Sequence, residues 1–193
     1  MKKIISKGEK DRKIKRNQLL IGLVLIVLMV LSTLGFALTG RANNEDSDKI
    51  EYQGVVFIRD SGFWFSEIKG KNYMTTYNAK EVENFSFPSY LTVENYRNKP
   101  LYFVGDLGDS TSEIARNLND IALRMQSACL SEINCSENLP VKNCSDDNII
   151  IMREPSEDEE ESIFQEENCV FIIGSYQNQT KMADAFLFHL AGI

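Results

Sequence analysis

The feature that most constrains this chain is an uncharged apolar run from Leu19 to Leu38, twenty residues in which only Ser32 and Thr33 are polar. At about 1.5 Å per residue, a helix of that length spans about 30 Å, the hydrocarbon thickness of a bilayer. A helix that is apolar on every face has no place to pack in a soluble domain of this size. The run therefore predicts a transmembrane helix over residues 18–39, acting as a signal anchor.

A cleaved signal peptide is the alternative interpretation. Signal peptides have an apolar region of about 7–15 residues followed by a small-residue cleavage site. Leu38-Thr39-Gly40 could serve as such a site. The apolar run here is longer than that region, which favours a retained helix.

Charge is divided unevenly along the chain. Residues 1–16 contain eight Lys and Arg and two acidic residues, a balance of +6, and since the whole chain carries -7 the remainder carries -13. A basic tail alone would suit nucleic acid, but the apolar run that follows it favours a membrane and no nucleic acid. Because basic flanks stay inside, residues 1–17 are predicted to be a cytoplasmic tail at the cell membrane. Residues 40–49 are then a polar stalk and 50–193 an extracytoplasmic domain.

The start of this domain is typical of an antiparallel β-meander. Residues 52–58, 63–68 and 73–77 are rich in aromatic and β-branched residues, with turns at 60–62 and 69–72. Its aromatic side chains suit either one buried sheet face or a platform for a sugar or a peptide, and the buried face is favoured. These side chains are Phe57, Phe63, Trp64, Phe65, Tyr73 and Tyr77.

A βαβ unit is predicted in the second half of the domain. Residues 101–104 form a short apolar strand, and Ser110 and Glu113 have the spacing of a capping box before an apolar stripe. This pattern predicts a helix over 110–128. Residues 148–152 contain three consecutive Ile, which is typical of a strand buried on both faces. Since such crossovers join parallel strands, we expect 101–104 and 148–152 to be parallel neighbours.

The rest of the domain completes a mixed α/β fold. The acidic segment 153–162 is predicted to be a mobile solvated loop. Residues 163–165 and 169–173 are predicted strands of opposite direction, and 181–191 a closing helix. The predicted fold class is α/β, α+β-like, with an N-terminal transmembrane helix, an antiparallel meander, a βαβ unit with a mixed sheet and a C-terminal helix.

All four cysteines, Cys129, Cys135, Cys144 and Cys169, lie in the extracytoplasmic half. An even number in an oxidising compartment predicts two disulfides, and the spacings lack the tight pairs of a zinc site. The predicted topology brings the end of the 110–128 helix and the start of the last strand to the same edge of the sheet. This favours Cys129–Cys169 with Cys135–Cys144, and the chief rival is Cys129–Cys135 with Cys144–Cys169.

Four Asn-x-Ser/Thr sequons also fall in this half, at Asn84, Asn134, Asn143 and Asn178. Those at Asn134 and Asn143 contain a cysteine, and a disulfide there would hinder modification. Asn84 and Asn178 are therefore the better candidates for glycosylation.

The loop from Gly105 to Ser110 is the best candidate for ligand chemistry. Loops at the carboxyl ends of parallel strands bind ligands in α/β proteins, but Asp106 and Asp109 would repel a phosphate. The loop is either a tight turn before a capped helix or a cation or ligand site built on these carboxylates. The sequence contains no dinucleotide, phosphate-loop or nucleophile-elbow motif, and His189 is its only histidine. No enzyme activity, catalytic residue, cofactor or bound metal is therefore predicted.

Two stretches resemble a known group of proteins. The first runs from Tyr52 to Phe57 and continues through Trp64, Tyr73, Tyr77 and residues 81–83; the second comprises 128–129, 138–144, 148–151, 168–172, 183–187 and 192–193. Together they resemble small single-span membrane proteins of archaeal lineages with reduced genomes, over most of residues 50–193. The resemblance implies an archaeal cell surface, where N-glycosylation is expected, and it implies no catalytic residue.

The predicted function is that of a membrane-anchored extracytoplasmic structural or interaction protein, with a protein partner at the cell surface. One alternative is an accessory subunit of a membrane transport or secretion complex, which Gly22, Ser32 and Gly35 in the apolar run favour slightly. The other alternative is a ligand or cation binder that uses the loop Gly105 to Ser110.

Overall fold

The computed structural model describes residues 7–39, 49–105, 108–131 and 138–193, with the side chains of 15–32 in the first range. The chain divides into two units, Met1–Asp46 and Ser47–Ile193. In the first unit, α1 (Lys7–Thr39) is a single helix. Its stretch Lys15–Ser32 is long and apolar enough to cross a membrane and none of it is buried, features that a signal sequence near an N-terminus shares.

The second unit begins with a four-stranded antiparallel sheet in the order β1-β2-β3-β4. Its strands are β1 (Lys49–Tyr52), β2 (Val55–Asp60), β3 (Phe63–Ile68) and β4 (Lys71–Thr75). The three hairpin turns, Gln53-Gly54, Ser61-Gly62 and Lys69-Gly70, have positive φ at both residues. Such turns match the right-handed twist of the flanking strands. The antiparallel meander is confirmed, but the single predicted strand over 52–58 is wrong, because Gln53-Gly54 divides it.

A five-stranded mixed sheet has the order β10-β11-β9-β5-β6. The strands that follow the meander are β5 (Pro100–Gly105), β6 (Arg124–Ser127), β7 (Cys129–Leu130), β8 (Val141–Lys142), β9 (Asn148–Arg153), β10 (Ser162–Glu166) and β11 (Cys169–Ile173). β5 and β9 are parallel neighbours with Val104 opposite Ile151, as predicted. β10 runs antiparallel to β11, and β11 runs parallel to β9, which confirms the predicted strand directions. β7 and β8 form a separate two-stranded parallel pair.

The predicted helix over 110–128 is wrong in its second half. The crossover helix α2 (Asp109–Leu118) is ten residues long, and β6 follows it in parallel pairing with β5. In the turn before β6, the Leu123 N–H donates to the Lys99 carbonyl at 3.0 Å. Sheet bonds thus replace the helical ones, and apolar spacing alone does not distinguish the two arrangements. The crossover therefore joins β5 to β6, while β9 pairs on the other side of β5.

The predicted capping box of Ser110 and Glu113 is also wrong. The N-cap of α2 is Gly108, and Ser110 lies inside the first turn. Ser110 is buried, and its hydroxyl donates to Sδ of Met152 on β9 at 3.1 Å. Glu113 instead accepts a hydrogen bond from the backbone of Thr76, just beyond β4. Both side chains therefore bind residues of other elements and do not cap α2.

The closing helix α3 (Tyr176–Ala191) begins five residues before the predicted start at 181. Glu161 accepts hydrogen bonds from the Ser175 N–H and from Nδ2 of Asn178, each at 2.8 Å. A carboxylate at this position satisfies a free N–H group and the positive end of the helix dipole. The helix start therefore depends on a residue distant in sequence.

The acidic segment 153–162 was expected to be a mobile solvated loop. Arg153 and Glu159 within it form a double hydrogen bond, with Nη1–Oε2 and Nη2–Oε1 distances of 2.6 Å. Together with the Glu161 contacts to the start of α3, this pair attaches the segment to the fold. Residues 154–161 form neither helix nor strand and are mostly exposed, which agrees with the predicted solvated loop, and the mobility of the segment stays a prediction.

The helices α2 and α3 and the antiparallel sheet pack on one face of the mixed sheet. The shared core includes Leu101, Phe103, Ile150, Met152, Val170 and Ile172 of the mixed sheet, Ile114 and Leu118 of α2, Met182 and Phe186 of α3, and Phe57, Trp64 and Tyr73 of the meander. A smaller cluster on the opposite face contains Tyr102, Ala128, Ile149, Ile151 and Cys169. β9 contributes to both clusters, which confirms its predicted burial on both faces.

The disulfide in the described region joins Cys144 to Cys169, with a Cα–Cα distance of 5.1 Å. The preferred pairing of Cys129 with Cys169 is therefore wrong. Cys169 begins β11, whereas Cys129 follows β6, which lies three strands away in the sheet or about 14 Å. That separation exceeds the roughly 4.4–6.8 Å that a disulfide allows. Cys129 is also disulfide-bonded, and Cys135 lies outside the described residues.

Candidate functional site

The predicted ligand loop is described only in part. Asp106 lies outside the described residues, and Asp109 is the exposed first residue of α2. Asp109 borders a cavity of about 600 Å³ whose polar lining includes Ser112, Glu113 and Arg116 of the same helix. Among the described residues, no group of three or more His, Cys, Asp and Glu side chains is arranged to hold a metal ion. The cation site on this loop therefore stays a prediction.

The two preferred sequons lie in different surroundings. Asn84 is exposed in the turn that follows the meander. Asn178 is half-buried in the first turn of α3, where its amide donates to Glu161. A glycan would replace one of the two amide hydrogens of this half-buried side chain, whereas Asn84 is exposed, so the geometry favours Asn84 of the two.

The aromatic residues of the meander divide between the two faces of the sheet. Phe57, Trp64 and Tyr73 are buried against the core, as the favoured interpretation requires. Phe65 points to the other face and is 39% exposed. Phe63 lies on the same face of β3 but is half-buried, with the Arg116 guanidinium 4.9 Å from its ring centre, so Phe65 is the more exposed ring there.

That outer face carries an open apolar groove of about 790 Å³, which we call the outer groove. Ile58, Phe65 and Met74 lie directly opposite one another on three adjacent strands, and Val56 follows in the next row. Ile58 is 52% exposed and Val56 37%. These side chains form a small contiguous apolar surface on the outer face of the sheet.

Polar side chains of α2 complete the free edge of β4. Nδ2 of Asn117 donates to the Met74 carbonyl at 2.8 Å, and its Oδ1 accepts from the Met74 N–H at 2.9 Å. This two-way pairing imitates a neighbouring strand. Two residues further along, the Thr76 N–H donates to Oε1 of Glu113 at 2.6 Å. The edge of the antiparallel sheet is thereby attached to α2.

A buried carboxyl pair lies at the same junction. Glu113 is 2% exposed and Asp184 of α3 is fully buried. The Tyr77 N–H donates to Oδ2 of Asp184 at 2.9 Å, and Arg116 forms an ion pair with Glu113. Burial raises the pKa of Asp184 well above its ordinary value of 3.8, and the negative charge of Glu113 raises it further. The junction therefore holds more acidic groups than its one arginine balances.

Comparison with known proteins finds no match: no family model, no curated protein and no solved structure matches this chain.

The sequence analysis did not identify Asn117 and Asp184 as residues of this junction. Both are polar positions on helix faces that are otherwise buried. Among the last twelve residues, Asp184 is the only Asp, Glu, Lys or Arg, and His189 counts as neutral at pH 7. An isolated carboxyl in an apolar helical stretch was the available signal, because burial of such a group requires a specific partner.

Proposed function

We propose that this chain is a membrane-anchored extracytoplasmic interaction protein that binds a protein partner through the outer groove. The anchor rests on α1, whose stretch Lys15–Ser32 can cross a bilayer and is not buried. The orientation rests on the +6 charge of residues 1–16 before the apolar run. Residues 1–17 are then cytoplasmic and the domain from residue 50 onward lies outside.

The outer groove supports the interaction role. Its volume of about 790 Å³ leaves room for side chains of a partner segment. The row of Ile58, Phe65 and Met74 crosses three strands, which suits an extended segment laid across the sheet. Glu67 and Arg116 add one charge of each sign to the lining. We therefore expect an apolar partner segment with flanking polar residues.

Protease accessibility tests the orientation. Protease added to intact cells should remove the domain from residue 50 onward and leave a membrane-bound fragment that contains residues 1–17. A domain that stays protected until the membrane is permeabilised would contradict the orientation. Recovery of the mature chain without residues 1–38 would instead support the signal-peptide alternative.

Site-specific photo-crosslinking in native membranes tests the groove. A photoreactive side chain in place of Phe65 should capture one discrete protein, and the additional change Ile58→Glu should abolish the capture. The matched control places the same probe at Tyr90, which is fully exposed at 102% and lies outside the groove. Circular dichroism should show the same folded content in all variants.

Three results would contradict a protein partner at this groove. They are equal capture from both probe positions, capture that survives Ile58→Glu, and crosslinks only to lipid or to a second copy of the chain.

A further inference from the structure

A second structural feature, separate from the outer groove, lies where the antiparallel sheet meets α2 and α3. Two consecutive backbone N–H groups just beyond β4 donate to carboxyl groups from different helices. Thr76 binds Oε1 of Glu113 on α2 at 2.6 Å, and Tyr77 binds Oδ2 of Asp184 on α3 at 2.9 Å. The two carboxyl groups therefore connect one sheet edge to both helices.

Hydrogen-bond donors surround the carboxyl group of Glu113. Its two oxygens accept from the Thr76 N–H, from the Thr76 hydroxyl at 3.2 Å and from the Arg116 guanidinium. Both oxygens of this buried carboxyl group therefore have partners, as buried polar atoms require.

The surroundings of Asp184 are the opposite. It is fully buried, and among the described residues its Oδ1 has no hydrogen-bond donor. A buried polar atom without a partner is costly, and a buried second anion beside Glu113 would cost more. A proton on Asp184 removes both costs, because the neutral carboxyl can donate to Glu113.

We propose that Glu113 and Asp184 share a single proton, carried on Asp184, and that this protonated pair is a latch that holds the sheet edge to α2 and α3. The hydroxyl of Asp184 donates to the carboxylate of Glu113, while its other oxygen accepts from the Tyr77 N–H. The pair then carries one negative charge, which Arg116 balances. Loss of the proton leaves two adjacent buried anions and opens the latch.

The charged groups around the pair come from both helices, α2 and α3. Arg116 faces it from α2, and Asp109 lies one turn before Glu113 on that helix. Lys181 lies on α3 over the ring of Tyr77, with its Nζ 5.4 Å from the ring centre. Lys181 is therefore occupied at the sheet edge, and Arg116 is the cation that binds the pair directly.

The raised pKa of Asp184 sets the direction of the effect. Between the ordinary value of 3.8 and the raised pKa, the fold binds a proton that the unfolded chain has released. The stability due to the latch is therefore fully present below 3.8 and is lost as the pH rises through the raised pKa. Rising pH should therefore loosen the sheet from the helices.

Trp64 reports on this junction. It is the only tryptophan of the chain, is 5% exposed, and lies opposite Thr75 at the end of β4. Its fluorescence therefore follows the contact of the meander with the core. Urea unfolding of the full chain in detergent micelles, followed through Trp64 over a pH series, measures the strength of the latch.

The informative variant is Asp184→Asn, because its amide can accept from Tyr77 and donate to Glu113 as the protonated carboxyl does. Relative to this variant, the folding equilibrium constant of the native chain should fall by up to about tenfold per pH unit between 3.8 and the raised pKa of Asp184. Asp184→Ala should weaken the fold at every pH, because Tyr77 loses its acceptor. The matched control is Asp158→Asn in the acidic segment, an exposed residue that should keep the native pH profile.

Two results would overturn the latch. One is an Asp184→Asn variant that follows the native pH profile, or that is as unstable as Asp184→Ala. The other comes from the unmodified chain, by ¹³C NMR of the carboxyl groups, if Asp184 titrates at its ordinary pKa. Because this second measurement needs no substitution, the proposal stays testable even if a variant does not fold.

Discussion

Removal of the Cys144–Cys169 disulfide should destabilise the domain by an amount that follows from its position in the chain. The bridge closes a loop with a sequence separation of 25 residues. The chain-entropy relation for a loop of that length predicts a loss of about 3.5 kcal/mol in the free energy of unfolding. The change Cys144→Ala with Cys169→Ala is suitable, because Cys169 is fully buried and a serine there would bury a hydroxyl.

Thermal unfolding of the full chain in detergent, followed by circular dichroism, measures this loss. For a domain of this size each kcal/mol shifts the midpoint by about 2–4 °C, so the double variant should unfold about 7–14 °C lower. Peptide mapping without reduction should recover a linked peptide that contains Cys144 and Cys169. A loss below about 1 kcal/mol would refute the entropic argument. A peptide that links Cys129 to Cys169 would refute the pairing itself.

Two further predictions concern the backbone and the acidic segment. Gly105→Ala should reduce the free energy of unfolding by at least about 1–3 kcal/mol more than Gly62→Ala. Both glycines have positive φ, but a new Cβ at 105 would lie 1.9 Å from the Met152 carbonyl oxygen, whereas one at 62 meets no described atom within 4 Å. Equal losses in urea unfolding would contradict this. Hydrogen bonds from Arg153 hold the pKa of Glu159 at about 2, so the stability from this pair is present above the ordinary value of 4.5 and is lost as the pH falls through about 2. The NMR titration midpoint of Glu159 should return towards 4.5 in Arg153→Met, and an unchanged midpoint would show that another group lowers the pKa.

Elements with a strong local pattern were predicted well. β11 was predicted at its observed bounds, since a run of apolar residues follows a turn at Glu167. β9 differs from its prediction by one residue at its C-terminal end, because three consecutive Ile are incompatible with an exposed position. The predicted helix over 110–128 is wrong in its second half, because the apolar spacing of residues 121–128 fits a helix as well as it fits a strand that pairs with β5.

The candidate sites were less predictable than the strands. The outer groove exists because Ile58, Phe65 and Met74 come into one row, and that row depends on the register of three strands. The carboxyl pair joins residues 71 positions apart in the sequence, from two helices whose contact no local pattern encodes. Periodicity is a property of neighbouring residues, so it identifies a face but not what the face meets.

Local patterns in the sequence were enough to predict the apolar helix, the meander turns at Ser61-Gly62 and Lys69-Gly70, and the strands β5, β9, β10 and β11 of the mixed sheet. Each of these follows from local chemistry, namely continuous hydrophobicity, positive φ at glycine, and alternating or continuous burial. The end of α2, the partner of Cys169 and the environment of Asp184 follow instead from contacts between elements that are distant in the chain. The order of strands in the sheet places Cys144 rather than Cys129 next to Cys169. The packing of α3 against α2 gives Asp184 a second carboxyl group, that of Glu113, as its neighbour.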